Sequence, residues 1–297
     1  MPNHQAFGLR ISSEFSLHLP RSAADNADVS ISLGSTPERI SQPLKCGPRF
    51  EVSADELLLE IDGVARFWAR GGHQIVVEPR RSPTPHDEIS QFLAGSVLGF
   101  TLQQRCRCSL HASAVVHNEQ AILFAGRSGC GKSTTVSALA RAGFERLCDD
   151  ICPIELKAGN LLAYPGVPAS KLWPDSAAAL GISANTLERV RPGTEKRFLP
   201  WTEPLRDQPL PIGAVFLLHP SSETGVQSQL LSPIEAFASL QRHTYRRDFL
   251  LHPKSLSSHF QALSSIAKSI PVSTLRHSSS KFDLDAQTDR IRSALAL

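Results

Sequence analysis

The run Gly126 to Ser133, GRSGCGKS, satisfies the spacing G-x-x-x-x-G-K-[ST]. That spacing has a physical reading. Glycines let the main chain turn tightly so that successive N–H groups aim at phosphate oxygens, the lysine meets the outer phosphates, and the hydroxyl after it holds Mg²⁺. Ahead of the run lies Ala121 to Ala125 (AILFA), suited to a buried strand; behind it, residues from Lys132 make a short helix that Gly143 would end from the C′ position. Strand, loop and helix in this order are the context the motif requires. Gly126, Arg127, Ser128, Gly129, Cys130, Gly131, Lys132, Ser133 and Thr134 are therefore the expected nucleotide-binding set. ATP is the expected ligand with GTP as the alternative; Lys132 also has a catalytic role and Ser133 sits on the metal. The competing reading is an accidental glycine-rich loop, and the flanking elements weigh against it.

Phe144 to Cys148 reads as a second buried strand and ends in Asp149 and Asp150. A right-handed crossover through the short helix makes this strand parallel to the first, so both carboxylates emerge at the edge that holds phosphate. One of them, assigned as Asp149, can join Ser133 in holding Mg²⁺, while the other takes the proton of an incoming hydroxyl. Adjacent aspartates that merely open a loop are the plain alternative. Upstream, HASAVVHNEQAILFAG forms two strands around a tight turn at Asn118-Glu119, pairing residues whose numbers sum to 237. That register sets Val115 opposite Ile122 and His111 opposite Gly126, which delivers a titratable ring beside the phosphates.

Farther on, PGTEKRFLP puts Lys196 and Arg197 in a turn-rich stretch. A solvated surface pair is the first reading there, and Arg197 is the expected cationic finger where one operates on developing charge. Lys171 and Asp175, in SKLWPDS, are candidates for the acceptor side.

The elements that position these residues follow from periodicity. Phe7, Leu9 and Ile11, then Phe15, Leu17 and Leu19, then Val29, Ile31 and Leu33 alternate with the strand period, and Gly71-Gly72 reads as a hairpin turn. Residues 1–85 are thus a β-rich region. After the proline-rich break, Asp87 is a plausible N-cap for a helix with Ile89, Leu93, Val97 and Phe100 on one face, ending near Arg105; Gly95 and Gly99 weaken it. Residues 86–297 form the expected catalytic domain. In its last third, Ala214 to Leu218 reads as a buried strand, Ser232 to Glu235 as a capping box, and Phe260, Leu263 and Ile266 as a helix face. Arg242, His243, Arg246 and Arg247 read as a solvated helix end.

Bulk properties exclude several classes. With 41% hydrophobic residues and no apolar run of bilayer length, a membrane span is not expected. The first residues lack the basic start and apolar block of a secretory signal, so a cytoplasmic location is expected. The net charge of +3 is spread along the chain and gives no nucleic-acid footprint. Six cysteines without C-x-x-C spacing read as reduced thiols.

The combination of LHASAVV, GRSGCGKST and RAGFERLCDD resembles the carboxy-terminal catalytic domain of the HPr kinase/phosphorylase family, specifically over residues 109–155. The resemblance implies a P-loop mixed sheet of the HPr kinase and phosphoenolpyruvate carboxykinase type, here behind a β-rich amino-terminal segment. It also implies γ-phosphoryl transfer to a protein serine. By position, Lys132 and Ser133 match the family's phosphate and metal contacts, Asp149 and Asp150 its catalytic aspartates, and His111 its upstream histidine. The family's Gly-Leu-Gly signature after the aspartates is replaced by YPGVPASKLWPDS. In this the chain is more similar to the HPr-kinase-like enzymes of ribosomal peptide biosynthesis.

The function expected from the sequence is an ATP- and Mg²⁺-dependent kinase acting on a serine of a protein or precursor peptide, with homo-oligomerisation left open. A small-metabolite kinase shares the nucleotide site and differs in its acceptor pocket. A nucleotide-dependent ATPase or switch is the third class; the absence of an N/T-K-x-D motif and the presence of two carboxylates weigh against it.

Overall fold

The computed structural model describes residues 2–23, 26–191, 193–223, 225–278 and 283–295. The chain is mixed α/β and divides into two compact units, one of residues 1–109 and 245–260, the other of 110–244 and 261–297.

The first unit is an eight-stranded sheet. Its strands are β1 (Asn3–Ala6), β2 (Leu9–Ser13), β3 (Val29–Leu33), β4 (Lys45–Gly47), β5 (Phe50–Val52), β6 (Glu56–Ile61), β7 (Ala65–Arg70) and β8 (Gln74–Pro79), in the spatial order β1-β2-β3-β8-β7-β6-β5-β4. The pairs β2–β3 and β3–β8 are parallel and the hairpins between neighbours in sequence antiparallel. Alternation is the reason these segments are strands: Leu9 and Ile11, then Phe67 and Ala69, are buried while their neighbours are not. Gly71 and Gly72, both at positive φ, turn β7 into β8. Phe15, Leu17 and Leu19 are buried in alternation as expected, yet they run through bends and join no ladder. Period-two burial reports which side faces the core; a strand also needs a free edge to pair with.

The helical stretch after the break is α1 (His86–Phe92) and α2 (Leu98–Gln104), joined by a π-type turn over Leu93–Val97. Ile89, Leu93, Val97 and Phe100 all point inward. The single expected helix is interrupted at Gly95, whose φ of −101° and ψ of −105° are not helical, because a residue without Cβ yields most easily where the winding changes. Pro85 takes the N-cap position, and Asp87 sits inside the first turn, where its charge favours the helix dipole. Phe92 packs 6.2 Å from Phe67, so residues 86–109 cluster with the strands and the sequence boundary at 85/86 lies within this unit.

His259 in this unit carries a testable cost. Burial, with Arg247 adding to it, lowers its pKa to about 4 from the usual 6.5. Above about pH 6.5 both folded and unfolded chains hold it neutral; as pH falls towards 4 only the unfolded chain takes the proton, and stability is lost over that window. The loss amounts to about 3 kcal/mol. His259→Gln is expected to flatten the decline in urea-unfolding stability between pH 7 and 4.5; an unchanged decline would show that this ring is not the titrating group.

The second unit begins as β9 (Cys108–Leu110) passes the chain into it. Next come β10 (Ala112–His117), β11 (Gln120–Ala125), α3 (Lys132–Arg141), β12 (Glu145–Cys148), β13 (Cys152–Lys157) and β14 (Asn160–Ala163). The rest are β15 (Ala169–Leu172), α4 (Pro174–Ala179), β16 (Arg197–Pro200), β17 (Leu210–Ser221), β18 (Gln227–Leu230), α5 (Pro233–Arg242), α6 (Pro253–Ser269, whose residues to 260 count with the first unit), β19 (Val272–Ser278) and α7 (Leu284–Leu295).

The hairpin β10–β11 has the anticipated register, Val115 opposite Ile122 and Ala112 opposite Ala125, and Asn118 and Glu119 both carry the positive φ that a type I′ turn needs. β12 is antiparallel to β10 on its other side, so β11 and β12 point the same way and end at the same edge. β17 lies parallel to β11 and β19 parallel to β17, giving a mixed sheet. Its core joins Val115, Ile122, Phe124, Val136, Leu139, Phe216, Leu275 and Ile291, drawing α3 and α7 onto one face, with Phe124 and Phe216 stacked at 5.6 Å. The capping box at Ser232 and Glu235 starts α5, with Pro233 at the first helical position. All six cysteines are free thiols, and no described helix is long and apolar enough to cross a membrane.

Candidate active site

The loop between β11 and α3 opens into a cleft lined by Ser128, Gly129, Gly131, Lys132, Ser133 and Thr134 on one side. Its shape depends on glycine at two positions. At Gly126 a Cβ would lie 2.4 Å from Cys130 Sγ and 3.1 Å from the Leu218 carbonyl oxygen, and Gly131 has φ 96°. No side chain caps the amino terminus of α3, which leaves its first amides aimed at the cleft. Lys132 is buried, and its ammonium donates to the carbonyls of Gly126 (2.9 Å) and Arg127 (3.1 Å). Burial lowers its pKa, with nearby Asp150 and Asp149 pulling the other way. Gly126, Arg127 and Cys130 do not line the cleft: the first two present carbonyls to Lys132, and Cys130 is turned into the core, where burial raises its thiol pKa.

The far wall comes from the end of β12. Asp149 is buried and accepts from three donors: the Ser113 hydroxyl, the Ser133 hydroxyl at 2.9 Å and the Lys171 amide at 3.2 Å. Asp150 lies 3.2 Å from His111 Nε2 and 3.6 Å from Lys171 Nζ. Their acidities are driven apart. Burial raises the Asp149 pKa, opposed by the Ser113 bond and reinforced by the Asp150 charge. Burial also acts on Asp150, but the His111 bond and the charges of Lys171, His111 and Lys196 outweigh it and hold this carboxyl well below the usual range. Two carboxylates set to different acidity are a recurrent acid–base arrangement. Asp150 also adopts φ 71°, a left-handed conformation that costs a non-glycine residue about 1 kcal/mol and that aspartate bears better than most.

His111 lines the cleft just past the last pair of the β10–β11 ladder, and its N–H donates to the His243 carbonyl at 2.7 Å. Arg197 does not line it. The ribbon β15–β16 pairs Leu172 with Arg197, and continuing that register puts Trp173 opposite Lys196. Lys171, Leu172 and Trp173 all border the cleft, and Lys196, on the same face as Lys171 and Trp173, borders it too, while Arg197 does not and pairs with Glu195 at 3.6 Å. Of the adjacent pair Lys196 and Arg197, it is therefore Lys196 that joins Lys171 on this wall. Asp175 lies outside the cleft lining, whereas Ser176 is part of it.

Ser113 escaped the sequence reading. The one signal in the sequence was a hydroxyl in an otherwise apolar buried strand; that 113 lies beside 149 follows from the β10–β12 pairing of Ala114 with Cys148, past a register shift between Ala114 and Val115. For a divalent cation, Ser133 Oγ and Asp149 Oδ1 offer two hard oxygens 2.9 Å apart, which suits Mg²⁺ completing its shell with phosphate and water. Among the described residues no group of three or more His, Cys, Asp or Glu gathers into an all-protein metal cage.

No family model and no curated protein matches the chain. Among solved structures it is similar to the Hpr(Ser) kinase/phosphatase from Coxiella burnetii, at 12% identity over 63% of this chain and 97% of that chain. The TM-score of 0.32 makes this a loose likeness that assigns neither family nor activity.

Proposed function

We propose that the chain is an ATP-dependent kinase that moves the γ-phosphoryl group to a serine hydroxyl of a protein or peptide, with the loop Gly126 to Ser133 acting as a P-loop. One observation carries this: an uncapped helix start with a buried lysine faces, across a single cleft, two adjacent carboxylates of opposite acidity. A pure phosphate-binding site has no need of the second feature.

In this reading the loop amides and Lys132 hold the phosphate oxygens, and a bound Mg²⁺ would supply positive charge to offset that of the phosphates. Ser133 and Asp149 would hold that ion, and Ser113 keeps Asp149 turned towards it. The acceptor hydroxyl lies against Asp150. Its oxygen bonds to phosphorus as the bond to the bridging oxygen breaks, its proton passes to Asp150, and ADP leaves with the electron pair. A carboxylate held this low is a weak base, but a loose transition state releases the proton late, so placement matters more than basicity. His111 fixes Asp150 through Nε2.

The test is incubation of the full chain with γ-labelled ATP, Mg²⁺ and a pool of serine-containing peptides, with serine-to-alanine versions as controls. Label is expected on the serine peptides alone. Label on small metabolites would move the assignment to a metabolite kinase, and label only as free phosphate with acceptors present would end the kinase reading.

A further inference from the structure

Residues 189–190 pair with 196–197: the Val190 N–H donates to the Lys196 carbonyl at 2.9 Å, and Arg189 forms an antiparallel β-bridge with Arg197. This fixes the main chain at Lys196. Its side chain lies on the cleft face of the ribbon, with the ammonium 5.5 Å from the centre of the Trp173 ring. Among the described residues it has no carboxylate within ion-pair reach, unlike Lys171, which is engaged with Asp150. Trp173 is itself unusual, a large apolar ring 41% exposed at the cleft wall. An exposed tryptophan directly opposite a lysine makes a cation–π brace, which restrains an otherwise floppy side chain without neutralising its charge. The charge is felt in the cleft, for it is among the causes that hold the Asp150 carboxyl low.

We propose that Lys196, braced on Trp173, is the cation that contacts the terminal phosphoryl group during transfer. The proposal rests on the nucleotide reading above and deepens it. As the bond from the acceptor oxygen to phosphorus forms and the bond to the bridging oxygen breaks, negative charge spreads over the outer phosphoryl oxygens. Lys132 meets it from the loop side, and Lys196 donates from the opposite wall, next to the carboxylate that takes the acceptor proton. An ammonium committed to no carboxylate is free to follow that charge, which the Asp150-bound Lys171 is not.

The experiment is calorimetric titration of the full chain and its variants with Mg²⁺ and either ADP or the β,γ-imido analogue of ATP. Lys196→Gln is expected to lose at least about 10-fold in affinity for the triphosphate analogue and to stay within about two-fold for ADP, as a charge-assisted bond to the third phosphate requires. Lys196→Arg should restore most of the loss, and Trp173→Leu should show the same selectivity at about three-fold. Equal weakening for both nucleotides, or none for either, in Lys196→Gln overturns the proposal while leaving the nucleotide site standing. A wild-type chain that binds neither nucleotide overturns both together.

Discussion

Asp150→Asn is expected to lower the proposed phosphoryl transfer by roughly 10²- to 10⁴-fold while the chain stays folded. The amide keeps the size and one acceptor atom of the carboxylate but cannot take the acceptor proton, and it gives up the ion pairs with His111 at 3.2 Å and Lys171 at 3.6 Å. The loss should fall on kcat, because the lost interaction matures only as the proton leaves. Folding is spared for a local reason: Asp150 is partly exposed and sits at the end of β12, outside the apolar cluster that holds α3 and α7 on the sheet. The measurement is steady-state transfer from labelled ATP beside a thermal melt. Turnover within ten-fold of wild type at an unchanged melting temperature would remove this carboxylate from the chemistry.

Lys132→Met is the second. It keeps the side-chain length and drops the charge, and it is expected to weaken ATP binding by at least about 100-fold, the worth of a pair of charge-assisted phosphate contacts. Stability should move the other way. The ammonium is buried, and burial lowers its pKa, so the folded chain bears a cost for keeping it charged where only two carbonyls accept from it. The melting temperature of the nucleotide-free variant is expected to hold or rise, the signature of a residue kept for binding at the expense of stability. A variant that binds ATP normally would contradict the loop's assignment. One that unfolds would show that the two carbonyl bonds matter more to the loop than the desolvated charge.

How much of this site could be read ahead of the structure depended on the range of the interactions that build it. The β10–β11 register was legible because a two-residue turn at Asn118-Glu119 fixes every later pair by counting, and Ala112 opposite Ala125 follows from it. The direction of β12 was legible because a strand after a short helix returns parallel. The start of α5 was legible from four residues that satisfy one another's donors. Strand alternation misled at 15–19, where burial was right and the ladder absent, and the helical period misled at 86–105, where Gly95 interrupted an apolar face that was itself correctly placed.

By itself, then, the sequence determined a strand–loop–helix with the spacing of a phosphate-binding loop, a histidine carried to its mouth by a hairpin, and a carboxylate pair at the same edge. Local sterics and backbone hydrogen bonding settle such things within a few residues. Only the tertiary structure decided that Ser113 holds Asp149, that Asp149 and Asp150 differ in acidity, and that Lys196 faces the cleft in place of Arg197. Each of these turns on which strand pairs with which, and in what register, between segments far apart in the chain. In a ladder with a period of two, a shift of one residue exchanges every side chain between cleft and scaffold.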